Sequence, residues 1–117
     1  MAFGLLITKD VFFASKVTST ATALGLSVRM VMSMEQLKSL LGDDTRLVIL
    51  DLDCTGITPL DVTAALPTNA NITTVAFGPH VHEAKLEAAR VAGFQHVMPR
   101  SRFSADLVQI LKDAAAT

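Results

Sequence analysis

The chain has one cysteine, Cys54, among its 117 residues, so it cannot form an intrachain disulfide, and a reducing compartment is expected. It has no excess of charge of either sign. The formal net charge is −1, and the basic and acidic residues are spread along the chain, without a basic stripe for nucleic acid or a polybasic arm for a membrane. Long hydrophobic runs are missing too. The start, Met1 to Ile7, is apolar, but Thr8, Lys9 and Asp10 interrupt it and no basic segment precedes it. Neither a signal peptide nor a membrane span is expected here, and a cytoplasmic location is expected. Repeats, low-complexity tracts and linkers do not occur. Neither of the glycine-rich phosphate loops, G-x-G-x-x-G and G-x-x-x-x-G-K-[ST], is present, which weighs against a nucleotide enzyme. The chain is expected not to be an enzyme.

What remains is a good core former. Half of the residues are hydrophobic, enough to bury a core without disulfides or metal, and residues 1–117 read as one domain. Short apolar runs alternate with segments of helical period. Phe3 to Thr8 reads as a first strand, and Val11 to Leu24 as a helix stopped by Gly25. Ser27 to Met32 reads as a second strand, placed at a sheet edge by Arg29. Ser33 opens the next helix, with Gln36 at capping-box spacing and Met32 and Leu37 at staple spacing; Leu37, Leu40 and Leu41 form its apolar stripe and Gly42 ends it. The continuous run Leu47-Val48-Ile49-Leu50, within Arg46 to Leu52, suits a strand buried on both faces. Thr58-Pro59 reads as the cap and first residue of a third helix ending near Leu66-Pro67. Ile72 to Phe77 is the fourth strand, broken by Gly78-Pro79. Val81 to Ala92 is the fourth helix, with Val81, Ala84, Ala88 and Val91 on one face and Gly93 as its stop. His96 to Met98 is the fifth strand. Ser104 is expected to cap the last helix, with Phe103 and Val108 at staple spacing and Leu107, Ile110, Leu111 and Ala114 inward. Five β-α units imply a parallel sheet covered on both faces, with chemistry confined to the carboxyl ends of the strands.

With this rhythm in place, Leu47-Val48-Ile49-Leu50-Asp51-Leu52-Asp53 and Ala92-Gly93-Phe94 resemble a response-regulator receiver domain over nearly the whole chain. The resemblance implies an α/β fold: a five-stranded parallel sheet, (βα)5 and doubly wound in the flavodoxin-like way, in three α/β/α layers. It implies that Asp51, at the end of strand three, stands at the phosphoacceptor position. The other site positions depart from the pattern. The acidic pair that holds Mg²⁺ falls on Thr8 and Lys9, with Asp10 one residue further on. The hydroxyl after strand four falls on Gly78, the lysine after strand five becomes Arg100, and the switching aromatic falls at Val97. Mg²⁺ takes oxygen ligands in near-octahedral geometry, so Asp10, Asp51 and Asp53 would give it only a weak site, and no cofactor is required. Lys9 and Arg100 are expected to flank Asp51 and pair with it, because opposite charges within ~4–6 Å favour the ionised carboxyl.

Other residues with possible chemistry weigh less. His80 and His82 share the rim with Asp51 and Asp53, and such a set suits a divalent metal or an anion; the plain alternative is two solvated histidines. Asp53 reads chiefly as a loop residue bonding local amides. Cys54 reads as a small half-buried residue, Arg100-Ser101-Arg102 as a solvated loop, the methionines as core filler or contact surface, and His96 as lying at the opposite end of the sheet.

The function expected from these residues is that of a stand-alone, atypical receiver-like signalling domain. It acts on a protein partner in trans, or as a homodimer, without ordinary phosphorylation switching. The face implied is helix four, strand five and helix five, with Val81, Val97 and Phe103 on it. The alternatives are a working phosphorelay receiver phosphorylated on Asp51, and a small metal- or anion-binding protein built on Asp51, Asp53, His80 and His82.

Overall fold

The structure, a computed structural model, describes residues 3–68 and 70–116, so the apolar start at Met1 and Ala2 lies outside it. The five expected strands are β1 (Gly4–Ile7), β2 (Val28–Val31), β3 (Leu47–Asp51), β4 (Thr73–Gly78) and β5 (His96–Pro99). They form one parallel sheet in the order β2-β1-β3-β4-β5. β3 is central and every residue of it is buried, as its unbroken apolar run requires. β2 is an edge strand, and Arg29 on it is exposed.

The helices are α1 (Val11–Ala23), α2 (Met34–Leu40), α3 (Pro59–Ala65), α4 (Glu83–Val91), α5 (Arg100–Ala105) and α6 (Leu107–Ala115). Successive strand side chains point to opposite faces, which divides the core in two. Leu5, Ile7, Val48 and Leu50 pack with Leu37 of α2, Val62 of α3 and Ala89 of α4. Leu6, Ile49, Val75 and Phe77 pack with Ala14 and Val17 of α1, Phe103 of α5 and Leu111 of α6. Three layers result, with helices on both faces of the sheet.

Local chemistry sets most of the boundaries. Gly25 and Gly93 adopt positive φ, 76° and 103°, just past the ends of α1 and α4. Their amides, with those of Leu26 and Phe94, bond back to the last-turn carbonyls of each helix, so both glycines act as the stops that their positions suggest. Ser33 caps α2 by accepting from the Gln36 amide, while the Gln36 side chain reaches back to the Met32 amide. Thr58 and Asp61 form a complete capping box on α3, with Pro59 in its first turn.

Three expectations fail. The last helix is not capped by Ser104: residues 100–105 are already helical, and the break comes at Asp106, whose φ/ψ of −100°/8° separates α5 from α6. The reason is Phe103. It is fully buried and stacks on Phe77 with ring centroids 4.5 Å apart, which draws its segment into a helical turn against the sheet. The stripe expected on the fourth helix faces solvent. Val81, Ala84, Ala88 and Val91 are exposed, while Leu86 and Ala89 are buried. Both flanks of α4 carry small apolar residues, and the larger Leu86 takes the inward position. Neither hydrophobic staple buries both of its members: Leu37 and Phe103 are buried, but their partners Met32 and Val108 are 46% and 45% exposed.

Candidate functional site

The candidate site lies at the carboxyl ends of β1, β3, β4 and β5. Asp51 ends β3, and the backbone around it is fixed: the Leu52 amide donates to the Phe77 carbonyl and the Cys54 amide to that of Asp51. Its side chain is 3% exposed. One carboxyl oxygen accepts from the Thr8 hydroxyl at 2.7 Å, the other from the Asp53 amide at 2.9 Å. Thr8 follows β1 and is fully buried; its oxygen also accepts from the Asp10 amide at 3.1 Å. Among the described residues no buried side-chain nitrogen or oxygen lacks a hydrogen-bond partner, as a closed polar cluster demands.

The two cations expected beside Asp51 make their bonds elsewhere. Lys9 donates to the Thr55 carbonyl at 2.9 Å, bracing the loop after β3. Arg100 donates to Asp10 at 2.8 Å, and its guanidinium lies 4.2 Å from the Phe13 ring centroid and 5.7 Å from that of Phe77. The direct pairing of Lys9 and Arg100 with Asp51 is therefore corrected. The cause is geometric: Thr8 and the Asp53 amide already occupy both oxygens, and the aromatic floor of Phe13 and Phe77 holds the guanidinium near α1.

Asp10 is fully engaged. Besides Arg100 it caps α1 by accepting from the Phe13 amide at 3.0 Å. That amide bond first, and Arg100 second, hold its carboxyl below the usual 3.8. Asp53 turns toward α4, where Lys85 donates to it at 3.1 Å and His82 Nδ1 lies 3.9 Å away. His80 is exposed in the same loop. Burial pushes the Cys54 thiol above its ordinary 9.0, against any nucleophilic use. Gly78 is buried, and a Cβ there would stand 3.2 Å from the Leu52 Cβ, so a larger residue would need Leu52 to give way.

This arrangement of elements is shared with solved receiver domains. The receiver domain of NtrX from Brucella abortus matches with a TM-score of 0.78 at 17% identity, over 97% of this chain and 98% of that one. The fold is that of a receiver domain. A BeF3-activated DrrB receiver domain gives a TM-score of 0.78 at 13% identity with both chains fully covered. A signal receiver domain from Bermanella marisrubri gives 0.77 at 18% identity, over 98% of this chain and 99% of that one. No protein-family model and no curated protein matches the sequence.

On this receiver fold the residues singled out in the sequence separate into groups. Thr8, Asp51 and Asp53 come together through hydrogen bonds, with Asp10 joined by its amide. The three carboxyls of Asp10, Asp51 and Asp53 do not close around a common point. Among the described residues no three His, Cys, Asp or Glu side chains are grouped to hold a metal ion, whether drawn from these or from His80 and His82. The donor set does not fit a Mg²⁺ ion. Asp10 is bound to Arg100, Asp53 to Lys85, and both oxygens of Asp51 are in use. Phe103 is removed from the interaction face, since it is wholly buried in the core; Val97 is partly buried against the other core layer, and Val81 is 70% exposed. No helix among the described residues is long and apolar enough to cross a membrane.

Sequence reasoning missed three contributors. The Thr8 hydroxyl was recognised by position but not as the donor to Asp51. Lys85 carries no sequence signal beyond falling in the first turn of α4. The Phe13 perch for Arg100 was legible only as a large apolar residue at the start of α1.

Proposed function

We propose that this chain is a receiver-type signalling domain that works by binding a protein partner in trans, with Asp51 serving as a fixed structural anchor and not as a phosphorylation switch. The observation that carries this reading is the condition of Asp51. It is 3% exposed, and both oxygens already accept from the chain's own donors. A phosphodonor would have to displace the Thr8 hydroxyl before reaching the carboxyl. The surroundings support the same reading, because Asp10 and Asp53 are each neutralised by a cation and Gly78 offers no hydroxyl to a phosphoryl group. Signalling as the role follows from the receiver fold, and protein binding follows from the exposed apolar residues of α4 and the loop before it, Val81 and Val91, beside β5. A homodimer through that face is the simplest assembly, since two-fold pairs are the commonest oligomers.

The test is intact-mass measurement after incubation with a small phosphodonor and Mg²⁺, next to an Asp51→Asn control. The expected outcome is no added phosphoryl group on folded protein. A gain in mass that disappears in the control would replace this reading with that of a working phosphorelay receiver.

A further inference from the structure

The two edges of the sheet are unlike. Among the described residues β2 and β5 each pair with one neighbour, so each carries amide and carbonyl groups on its outer side that no strand meets. A charge on an edge strand discourages another chain from pairing there, and β2 carries the exposed Arg29. β5, His96-Val97-Met98-Pro99, has no Lys, Arg, Asp or Glu. Beside β5 runs an open cleft of about 600 Å³, with α5 and α6 as its far wall. The packing of α6 shapes that wall. Leu107, Leu111 and Ala114 turn into the core with α1, while Gln109, Ile110 and Asp113 line the cleft. Val75, Met98 and Ile110 give it an apolar floor. Its charged groups are unequally matched. Arg102 and Asp106 neutralise each other at 2.9 Å. Asp113, about two turns beyond Asp106, accepts from the neutral Gln109 side chain at 2.7 Å and has no ion-pair partner among the described residues.

We infer that this cleft takes an extended segment of a partner protein, which adds to β5 as a sixth strand and sets a Lys or Arg against Asp113. The occupant follows from what the cleft leaves unmet. A row of edge amides and carbonyls is satisfied by another extended backbone, and not by a helix, whose own groups bond internally. The apolar floor takes alternate side chains of such a strand, and the unmatched carboxylate takes a cation. β5 has four residues, so the paired stretch is short, about 13 Å. The inference rests on the protein-binding role proposed above and names the chemistry of the partner. It places the contact on the α6 side of β5, across the sheet from α4.

Selection from a random peptide library displayed on phage, with the full chain as bait, tests it. The selected peptides should alternate apolar and polar residues and carry a Lys or Arg near one end. On binding they should move the backbone amide signals of β5 and α6 and leave those of α4 in place. Methylating alternate backbone nitrogens of such a peptide should abolish binding in one register and spare it in the other, because a strand turns only alternate amides toward its neighbour. Asp113→Lys changes an exposed residue and should weaken binding by about three-fold or more. Replacing the peptide's cation with Glu should restore binding to that variant. Val91→Asp, on the exposed side of α4, is the control and should leave binding unchanged. The inference is overturned if both methylated registers bind alike, or if Glu fails to restore binding to Asp113→Lys. Peptides that move α4 and not β5 overturn it too, and leave the protein-binding role standing on another surface. Selection of no peptide also overturns it, while the phosphodonor test still judges the wider reading. Protection of the β5 amides that rises with the chain's own concentration, without peptide, assigns the edge to a second copy and overturns it as well.

Discussion

Asp51 and Asp10 share one rim and are handled in opposite ways. Asp51 is 3% exposed and accepts from two neutral donors, Thr8 and the Asp53 amide. Asp10 has a side chain 40% exposed and accepts from a guanidinium that rests on an aromatic ring. Simple charge matching would have sent Arg100 to Asp51. The difference follows from solvation. Placing a cation beside a buried carboxyl strips water from both ions, at a cost of several kcal/mol each, and the attraction repays this only in near-ideal geometry. A hydroxyl and a backbone amide are already part of the fold and carry far less hydration to lose. At the edge, where water still reaches, the ion pair costs little and its cation can spread over Phe13.

The largest expected effect comes from removing what supports the exposed half of this comparison. Phe103 stacks on Phe77 at 4.5 Å and lies 5.9 Å from Phe13, the ring under Arg100. Phe103→Ala should lower stability by about 3–5 kcal/mol, measured by urea or thermal unfolding, because the cavity falls among rings that cannot readily collapse. A loss below about 1 kcal/mol would return Phe103 to the surface and undo the burial on which the Arg100 perch depends.

The buried half breaks at Thr8. Thr8→Val is nearly isosteric but leaves one Asp51 oxygen without its donor in a closed site. The expected loss is roughly 1–3 kcal/mol in the denaturant midpoint, the cost of an unmet buried acceptor. Thr8→Ser keeps the hydroxyl and gives up one methyl, so it should cost about 0.8 kcal/mol. Equal losses for the two variants would mean that packing at Thr8, and not its bond to Asp51, holds the site.

The fold was legible because it rests on local signals that agree with one another. The Leu47–Leu50 run, the stops at Gly25 and Gly93, and the Thr58-Pro59 cap each specify a boundary without reference to distant residues. The site was legible as a set of positions but not as a set of bonds. Thr8, Asp10, Asp51, Asp53 and Arg100 were all placed on the rim. Which cation meets which carboxyl depended on two things that sequence spacing does not encode: Thr8 fills an Asp51 oxygen from the neighbouring strand, and Phe103 winds its segment into α5 and carries Arg100 toward α1. The exposed face of α4 was misread for a related reason. Its apolar residues lie on both sides of the helix, and side-chain volume, through Leu86, decides between them.

The smallest effect, and the one that separates the two carboxyls most sharply, is the pH and salt dependence at Asp10. The Phe13 amide and Arg100 hold its carboxyl below 3.8 in the folded chain. The unfolded chain therefore takes up this proton at higher pH than the folded one. Stability from Asp10 is fully present above about pH 5 and is lost as pH falls through the folded value. Arg100→Met removes Arg100's share of that depression and leaves the share from the Phe13 amide. The gap in unfolding midpoint between wild type and Arg100→Met should be open at pH 7, narrow as salt is added, and close as pH falls far enough below 3.8 to protonate Asp10 in both proteins. The Thr8→Val deficit involves a neutral donor in a closed site and should persist in salt. If the Arg100→Met gap stays open at low pH and high salt, the ring contact and not the ion pair fixes Arg100, and the contrast between Asp10 and Asp51 becomes one of packing and not of charge.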